Sequence, residues 1–420
     1  MQRSLSDWLA WQAGLNPHEI ELGLERVRRV IDRLPLNRPA SGVFAVAGTN
    51  GKGSTVSFIE QLCRANGLET AAYTSPHLIR YNERMRLNGN EVSDEWLIEQ
   101  FEVVDAARGA IPLTYFEFGT LAALHGFSQA RADTWILEIG LGGRLDAVNA
   151  IDPDFSLVTT IALEHQEWLG DTIDAIAAEK AGILRRGRPA FYGDEPVPDG
   201  FRQVAKQIGA RVSCLGVDFA CLAGQGGSWT WQGSKTQLVG LPSPAPADPV
   251  QRRNASLALA AVEALDPALL NRPAVERALA ASPPPARFQV IDRDRQWIVD
   301  VAHNPQAAGN LRRKLLDLDA HGPLTVVIGL LEDKQVDGFI AQLADLADRW
   351  LVCSVDVARG HDVQELAALI QRAGGRNVTT AGTPEQGFAA ARAISRPGER
   401  ILVTGSFHIA GPALCWLGLY

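Results

Sequence analysis

Apolar positions along the chain fall into two alternating rhythms. Short runs rich in β-branched side chains, at 43–47, 70–73, 133–139 and 154–161, have the length and make-up of strands. Between and after them the apolar residues return every three or four positions. Val56, Ile59, Leu62 and Cys63 do so from Ser54 onward, and the stretches 93–107, 115–130 and 172–184 follow the same spacing. The 93–107 stretch opens on Ser93-Asp94-Glu95-Trp96, a capping start without the acid or amide at its fourth place. Residues 19–34 also read as a helix. Leu22, Leu24, Val27, Val30, Ile31 and Leu34 form its apolar face, Arg26, Arg28, Arg29 and Arg33 lie elsewhere, and Pro35 stops it. Strands alternating with helices predict a mostly parallel sheet covered on both faces.

The rhythm breaks between Phe219 and Leu241, where Gly224, Gly226, Gly227 and Gly233 accompany Trp229 and Trp231 at period two, the pattern of a small antiparallel excursion. Proline and alanine then crowd 242–249, a helix begins near Val250, and Pro283-Pro284-Pro285 follows. Stiff proline runs suit a domain boundary. Beyond it, apolar strands at 297–302, 324–330, 350–355 and 400–404 alternate with amphipathic helices. The expectation is an α/β protein of two domains, 1–285 and 286–420, the second smaller. A chain of 420 residues exceeds what one hydrophobic core usually serves, which agrees.

Composition narrows the class. A hydrophobic fraction of 46% beside 21% charged residues is that of a globular protein. The net charge of −8, from 40 basic and 48 acidic residues, argues against a nucleic-acid partner bound by phosphate neutralisation. Five cysteines without a Cys-x-x-Cys pair fit reduced thiols. The first residues carry Asp7 and two tryptophans and lack a signal-peptide core, and no stretch approaches the roughly 18 apolar residues of a membrane span. A cytoplasmic protein is expected.

The chemistry concentrates where a strand meets a helix. Gly48-Thr49-Asn50-Gly51-Lys52-Gly53-Ser54 joins the first apolar run to the first helical stretch. Glycines let backbone N–H groups turn inward, the helix start adds positive potential, and Lys52 adds a full charge, so a polyphosphate is the natural guest. The general phosphate loop would have a glycine at Val46 and a hydroxyl residue at Gly53, so this string is a particular variant. Ser75, Glu138 and His165 also follow strands, and ligands of open parallel sheets gather there. Ser75 and Glu138 offer the oxygen donors that Mg²⁺ prefers, and His165 is a less usual ligand. Taken singly, Ser75 also reads as a turn residue before Pro76, Glu138 as the partner of an arginine, and His165 as a loop histidine.

Five ordered motifs carry a resemblance. The glycine loop, Ser75-Pro76-His77-Leu78, the run from Leu137 to Ala147, Glu179-Lys180-Ala181-Gly182-Ile183 and Asp300-Val301-Ala302-His303-Asn304-Pro305 are similar to the motifs of the folylpolyglutamate synthase/dihydrofolate synthase family, within the Mur ligase superfamily. The similarity runs from about residue 19 to the Gly405-Ser406-Phe407-His408 segment. It implies an N-terminal P-loop-type ATPase domain and a C-terminal Rossmann-like, glutamate-ligase domain, with the active site between them. It implies that Gly51, Lys52, Gly53 and Ser54 hold ATP phosphates, that Asn254, Arg287 and Asp300 touch the nucleotide across the domain seam, and that Ser75, Glu138 and His165 bind two Mg²⁺ ions, with room for a monovalent cation. Lys180 matches a lysine that the superfamily often carbamylates. Read by themselves, Lys180 is an ordinary helix lysine, Asn254 a helix-start residue and Arg287 a linker ion-pair partner.

The substrate reading rests on further segments. Ile20-Glu21-Leu22-Gly23, the run Thr114-Tyr115-Phe116-Glu117-Phe118-Gly119-Thr120, and Leu145-Asp146-Ala147 resemble the pterin-binding segments of bifunctional bacterial members. By type, Tyr115, Phe116 and Phe118 also read as helix core. His303 and Ser406 are candidates for the incoming glutamate, and His303 or a substrate phosphate for the base. The implied activity is an ATP-dependent amide ligase that adds L-glutamate to dihydropteroate and reduced folates, acting on small molecules as a monomer. The alternatives are a cell-wall ligase of the same superfamily, disfavoured by the pterin-like segments and the short stretch before the glycine loop, and a non-ligase P-loop ATPase.

Overall fold

The computed structural model describes residues 3–18, 20–244, 247–281, 283–318, 322–357 and 359–420. The chain divides into two compact units, Met1–Ser282 and Pro283–Tyr420.

Eight strands build the main sheet of the first unit: β1 (Gly42–Ala47), β2 (Thr70–Tyr73), β3 (Met85–Leu87), β4 (Asn90–Glu91), β5 (Thr134–Glu138), β6 (Phe155–Val158), β7 (Pro189–Tyr192) and β8 (Arg211–Cys214). Their order is β4-β3-β2-β5-β1-β6-β7-β8. The six strands from β2 to β8 run parallel, and β3 and β4 close one edge antiparallel. Every residue of the central strand β1 is buried. Its side chains alternate between faces as strand geometry requires: Val43, Ala45 and Ala47 join one core, Phe44 and Val46 the other. The first core is completed by Phe118, Leu121 and Phe127 of the helix Tyr115–Ala130 and by Leu97, Phe101 and Val104 of Asp94–Arg108. The second takes Val56, Ile59 and Leu62 of the helix Lys52–Ala65, which packs on the helix Pro249–Leu265.

The excursion at 219–241 is a three-stranded antiparallel sheet, β9 (Ala220–Ala223), β10 (Trp229–Gln232) and β11 (Gln237–Leu241), ordered β11-β10-β9. Trp229 and Trp231, two residues apart, both turn into the second core. Glu263 anchors the β10–β11 turn: its carboxylate accepts from Ser234 N and Oγ, Lys235 N and Thr236 N at 2.7–3.0 Å.

The second unit has one mixed sheet of β12 (Gln289–Asp292), β13 (Gln296–Val299), β14 (Leu324–Ile328), β15 (Arg349–Cys353), β16 (Val378–Gly382) and β17 (Arg400–Thr404), ordered β12-β13-β17-β14-β15-β16. Only the β12–β13 hairpin is antiparallel. The expected α/β class, with a large mostly parallel sheet and a smaller α/β partner, is what the chain forms. No helix among the described residues is long and apolar enough to cross a membrane.

One expected helix is much shorter. Of 19–34, residue 19 lies outside the described residues and the helix spans only Glu25–Ile31. Residues 20–24 are drawn into tertiary bonds instead: Gly23 N donates to Leu145 O at 3.3 Å, and Arg26 Nη2 donates to Glu21 O at 2.7 Å. Residues 245 and 246 of the proline- and alanine-rich run also lie outside the described residues.

Candidate active site

Because β1, β2, β5 and β6 are parallel, the loops after them emerge along one edge of the sheet. Those loops carry Lys52, Ser75, Asp146 and His165, and Glu138 ends β5 opposite Val46 of β1.

The glycine loop is tied down from the strand beside it. Thr49 N donates to Thr160 O at 2.7 Å and Asn50 N to Thr160 Oγ1 at 3.1 Å, while Thr159 Oγ1 returns a 2.7 Å bond to Asn50 O. Two glycines are sterically required. A Cβ on Gly48 would lie 1.9 Å from Thr159 Oγ1, and one on Gly51, at φ 92°, would lie 2.6 Å from Asn254 Oδ1. Asn254 therefore belongs to the same unit as the loop and presses directly against it. Gln251, one turn earlier, reaches Ser54 Oγ at 3.4 Å. Gly51 caps the helix Lys52–Ala65 in the left-handed conformation, so the loop turns straight into a helix start. Lys52 Nζ folds back on Gly48 O and Thr49 O at 3.0 and 3.1 Å.

Glu138 is 5% exposed, and Ser75 N donates to its Oε2 at 3.2 Å. A buried carboxylate with a serine from the neighbouring strand is a hard-cation donor set. Among the described residues no three acidic, histidine or cysteine side chains close around one point. A Mg²⁺ ion held here would complete its shell from phosphate and water, as that ion commonly does. His165 sits at φ 46° in the turn after β6.

Beside it lies a pair the motifs did not announce. Lys180, 1% exposed, donates from Nζ to Glu164 Oε1 at 2.8 Å. Burial alone would lift the Glu164 carboxyl, but Lys180, Lys52 and His165 outweigh it and hold it at about 2. Burial pushes Lys180 down, against the pull of Glu164. The adjacency of Glu164 to His165 was the available sequence signal, yet only the turn after β6 shows that this acid points at the lysine. Thr159 and Thr160 were equally silent in sequence.

The pterin-like segments are brought together too. Arg26 is the hub. It bonds Glu21 through its side chain and backbone carbonyl, and its Nη2 and Nε reach Glu117 at 3.0 and 3.3 Å. Glu117 also accepts from Thr114 N at 2.8 Å, so its buried carboxylate is occupied in shaping the segment. Phe116 lies against Gly140, where a Cβ would meet its ring at 2.5 Å, and its ring centroid is 6.0 Å from that of Tyr73. Asp146 accepts from Leu141 N at 2.8 Å and Val148 N at 2.9 Å, which fixes Leu145 and Ala147 on either side. Ile20 and Leu22 are half-buried on the segment that Arg26 and Gly23 hold.

Burial pushes the Asp146 carboxyl up to about 6, although the Leu141, Val148 and Gly140 amides and Lys52 pull it down. The sign is that of a raised carboxyl. Its contribution to stability is whole below the unfolded value near 3.8 and is lost as pH rises through about 6, a change of about 3 kcal/mol. Denaturant unfolding followed from about pH 4 to about pH 8 should show the wild type losing this much more stability than Asp146→Asn. Parallel curves would contradict the assignment.

In the second unit, β13 and β17 are parallel neighbours, so their outgoing loops meet. Asp300 N donates to Val403 O at 3.0 Å and Gly405 N to Ala302 O at 3.0 Å. The Phe407 ring gathers the expected residues: the Arg287 guanidinium stands 5.2 Å from its centroid and the His303 ring 6.2 Å. Ser406 precedes it, 4% exposed, with Oγ unpartnered. Burial raises the Asp300 carboxyl, against the pull of Lys314 and Arg287. His303 Nδ1 lies 2.8 Å from Val301 O. A carbonyl only accepts, so Nδ1 carries a proton, which leaves Nε2 as the acceptor atom of the neutral ring.

The chain is similar to known proteins over nearly its whole length. The Mur ligase middle domain matches residues 46–218, and the Mur ligase glutamate ligase domain matches residues 286–407. The chain is 39% identical over 404 residues to dihydrofolate synthase/folylpolyglutamate synthase of Escherichia coli, covering 96% of this chain and 93% of that protein. The Haemophilus influenzae protein of the same name is 35% identical, with 96% and 95% covered. Among solved structures, Escherichia coli FolC in complex with DHPP and ADP superposes with a TM-score of 0.93 at 38% identity, over 99% of this chain and 98% of that one. A bifunctional folylpolyglutamate synthase/dihydrofolate synthase with Mn, AMPPNP and L-glutamate bound gives 0.91 at 38% identity, over 99% and 98%. With its phosphate loop, its buried Glu138 and its Arg26-linked segments in place, the chain belongs to the dihydrofolate synthase/folylpolyglutamate synthase family of Mur-type ligases.

Proposed function

We propose that this protein is an ATP-dependent amide ligase that adds L-glutamate to 7,8-dihydropteroate, forming dihydrofolate, and to reduced folates, forming folylpolyglutamates. The observation that carries the reading is the single sheet edge on which the phosphate loop, the Glu138–Ser75 donors and the pterin-like segments around Asp146 all stand. The relatives' ligands, ADP with DHPP and AMPPNP with L-glutamate, are of the matching kinds. We assign nucleotide binding to residues 1–285 and glutamate addition to 286–420, and place the protein in the cytoplasm as a monomer.

A carboxylate is a poor acyl donor, so the substrate carboxylate is first phosphorylated by ATP and the glutamate amine then displaces phosphate from the acyl phosphate. Gly51, Lys52, Gly53 and Ser54 hold the ATP phosphates, and Lys52 Nζ leaves its loop carbonyls to neutralise the charge that moves in the transfer. Ser75, Glu138 and His165 would hold two Mg²⁺ ions, which supply charge neutralisation on the phosphates. Asn254, which lies beside Gly51, is assigned to the nucleotide, and so are Arg287 and Asp300 of the second unit. Burial of Lys180 lowers its proton affinity, the direction that carbamylation of an amine requires, and a carbamate there would add an oxygen donor facing Glu164. Ile20, Glu21, Leu22, Thr114, Tyr115, Phe116, Glu117, Leu145, Asp146 and Ala147 shape the pterin site. Ser406 receives glutamate, and His303 Nε2 accepts the proton its amine releases.

ADP release should require both a pterin substrate and L-glutamate. Turnover with water alone, or with a UDP-linked peptide in place of the pterin, would overturn the reading in favour of an ATPase or a cell-wall ligase.

A further inference from the structure

One buried cation in the first unit has no counter-ion. Arg84, 9% exposed, ends the turn Tyr81–Arg84, in a stretch where the other charged groups are spent. Glu83 accepts from Leu78 N, Ile79 N and Arg80 N at 2.6–2.7 Å, and Arg86 pairs with Glu60 at 3.0 Å. Arg84 instead donates through Nε to His77 Nδ1 at 2.9 Å and lies over two ring faces, 5.1 Å from the Tyr81 centroid and 5.7 Å from that of Tyr115. The Tyr73 phenol is hydrogen-bonded to the same side chain. All four partners are neutral, and among the described residues no carboxylate lies within ion-pair distance of it.

A guanidinium withdrawn from water is costly without an anion, and ring faces offset only part of that cost. The bonds to His77 and Tyr73 do not exhaust its five N–H groups, and those remaining on the terminal fork suit a planar carboxylate acceptor. The position selects the guest. Arg84 O accepts from Thr74 N at 2.8 Å, one residue before Ser75, while Tyr115 over its plane belongs to a pterin-like segment. In the folate ligase reading, on which this step rests, the substrate carboxylate must lie between the pteridine and the phosphate loop. We infer that Arg84 is the carboxylate anchor of the pterin substrate, its terminal fork gripping the group that receives phosphate.

The test compares equilibrium binding of dihydropteroate with that of its descarboxy analogue, an aniline in place of the aminobenzoate. Wild type should prefer the carboxylate ligand about ten- to a hundredfold. Arg84→Gln and the apolar Arg84→Met should both lose that preference while binding the analogue as wild type does, and Arg84→Lys should keep part of it. Two variants of different chemistry guard against a local folding defect, since a collapsed aromatic cage would weaken both ligands alike. Equal loss of both ligands, or an unchanged preference, overturns the anchor while leaving the ligase reading intact. A wild type that binds neither pterin overturns both.

Discussion

Replacing Lys52 with alanine is expected to lower kcat/KM for ligation by about a hundred- to a thousandfold, the usual cost of removing one preorganised charge from a transition state. The effect should fall on kcat with both pterin substrates equally, because each carboxylate takes its phosphoryl group from the same ATP beside the same lysine. In the structure Lys52 Nζ rests on two loop carbonyls and is half-buried, so little of the fold depends on it. The loop keeps its shape through Thr159 and Thr160 and through Gly48 and Gly51, none of which the substitution touches. Steady-state kinetics beside a thermal melt would check this. Full activity in Lys52→Ala would remove the proposed phosphate role.

Lys180→Ala should be the most destabilising single change at the site. It strands the Glu164 carboxylate, whose side chain is 9% exposed, with its ion-pair partner gone. Breaking a buried pair from one side costs about 3–5 kcal/mol, which for a unit of this size lowers the melting temperature by roughly ten degrees. Adding Glu164→Gln removes the stranded charge, so the double variant should recover most of that stability. Ligation should not recover with it. If the double variant regained activity together with stability, Lys180 would be an architectural residue and its proposed chemical role would fall.

What was legible in the sequence follows from where each feature is encoded. β1, β2, β17 and the helix Tyr115–Ala130 were readable because apolar periodicity is local and their burial is complete or one-sided. The meeting of the Lys52, Ser75, Glu138 and His165 loops was readable because parallel strands send their carboxyl ends to one edge. Residues 20–24 misled because their apolar spacing is helical, while Arg26 and Leu145, far apart in sequence, claim their backbone. Glu164, Arg84 and Arg26 were missed for a related reason. A buried charge is identified by what surrounds it: Glu164 matters because Lys180 faces it, Arg26 because it joins Glu21 to Glu117, and Arg84 because nothing acidic faces it. None of those relations has a fixed spacing along the chain.

The ligase mechanism turns on activation of the substrate carboxylate by ATP as an acyl phosphate. Dihydropteroate labelled with the heavy oxygen isotope in its carboxylate, incubated with ATP, Mg²⁺ and L-glutamate, tests it directly. The carboxylate oxygen that attacks ATP leaves with phosphate when the amine displaces it. The account therefore predicts one heavy oxygen in each phosphate released and the other in the new amide of dihydrofolate. Phosphate without label, whether or not ADP is formed, would contradict it.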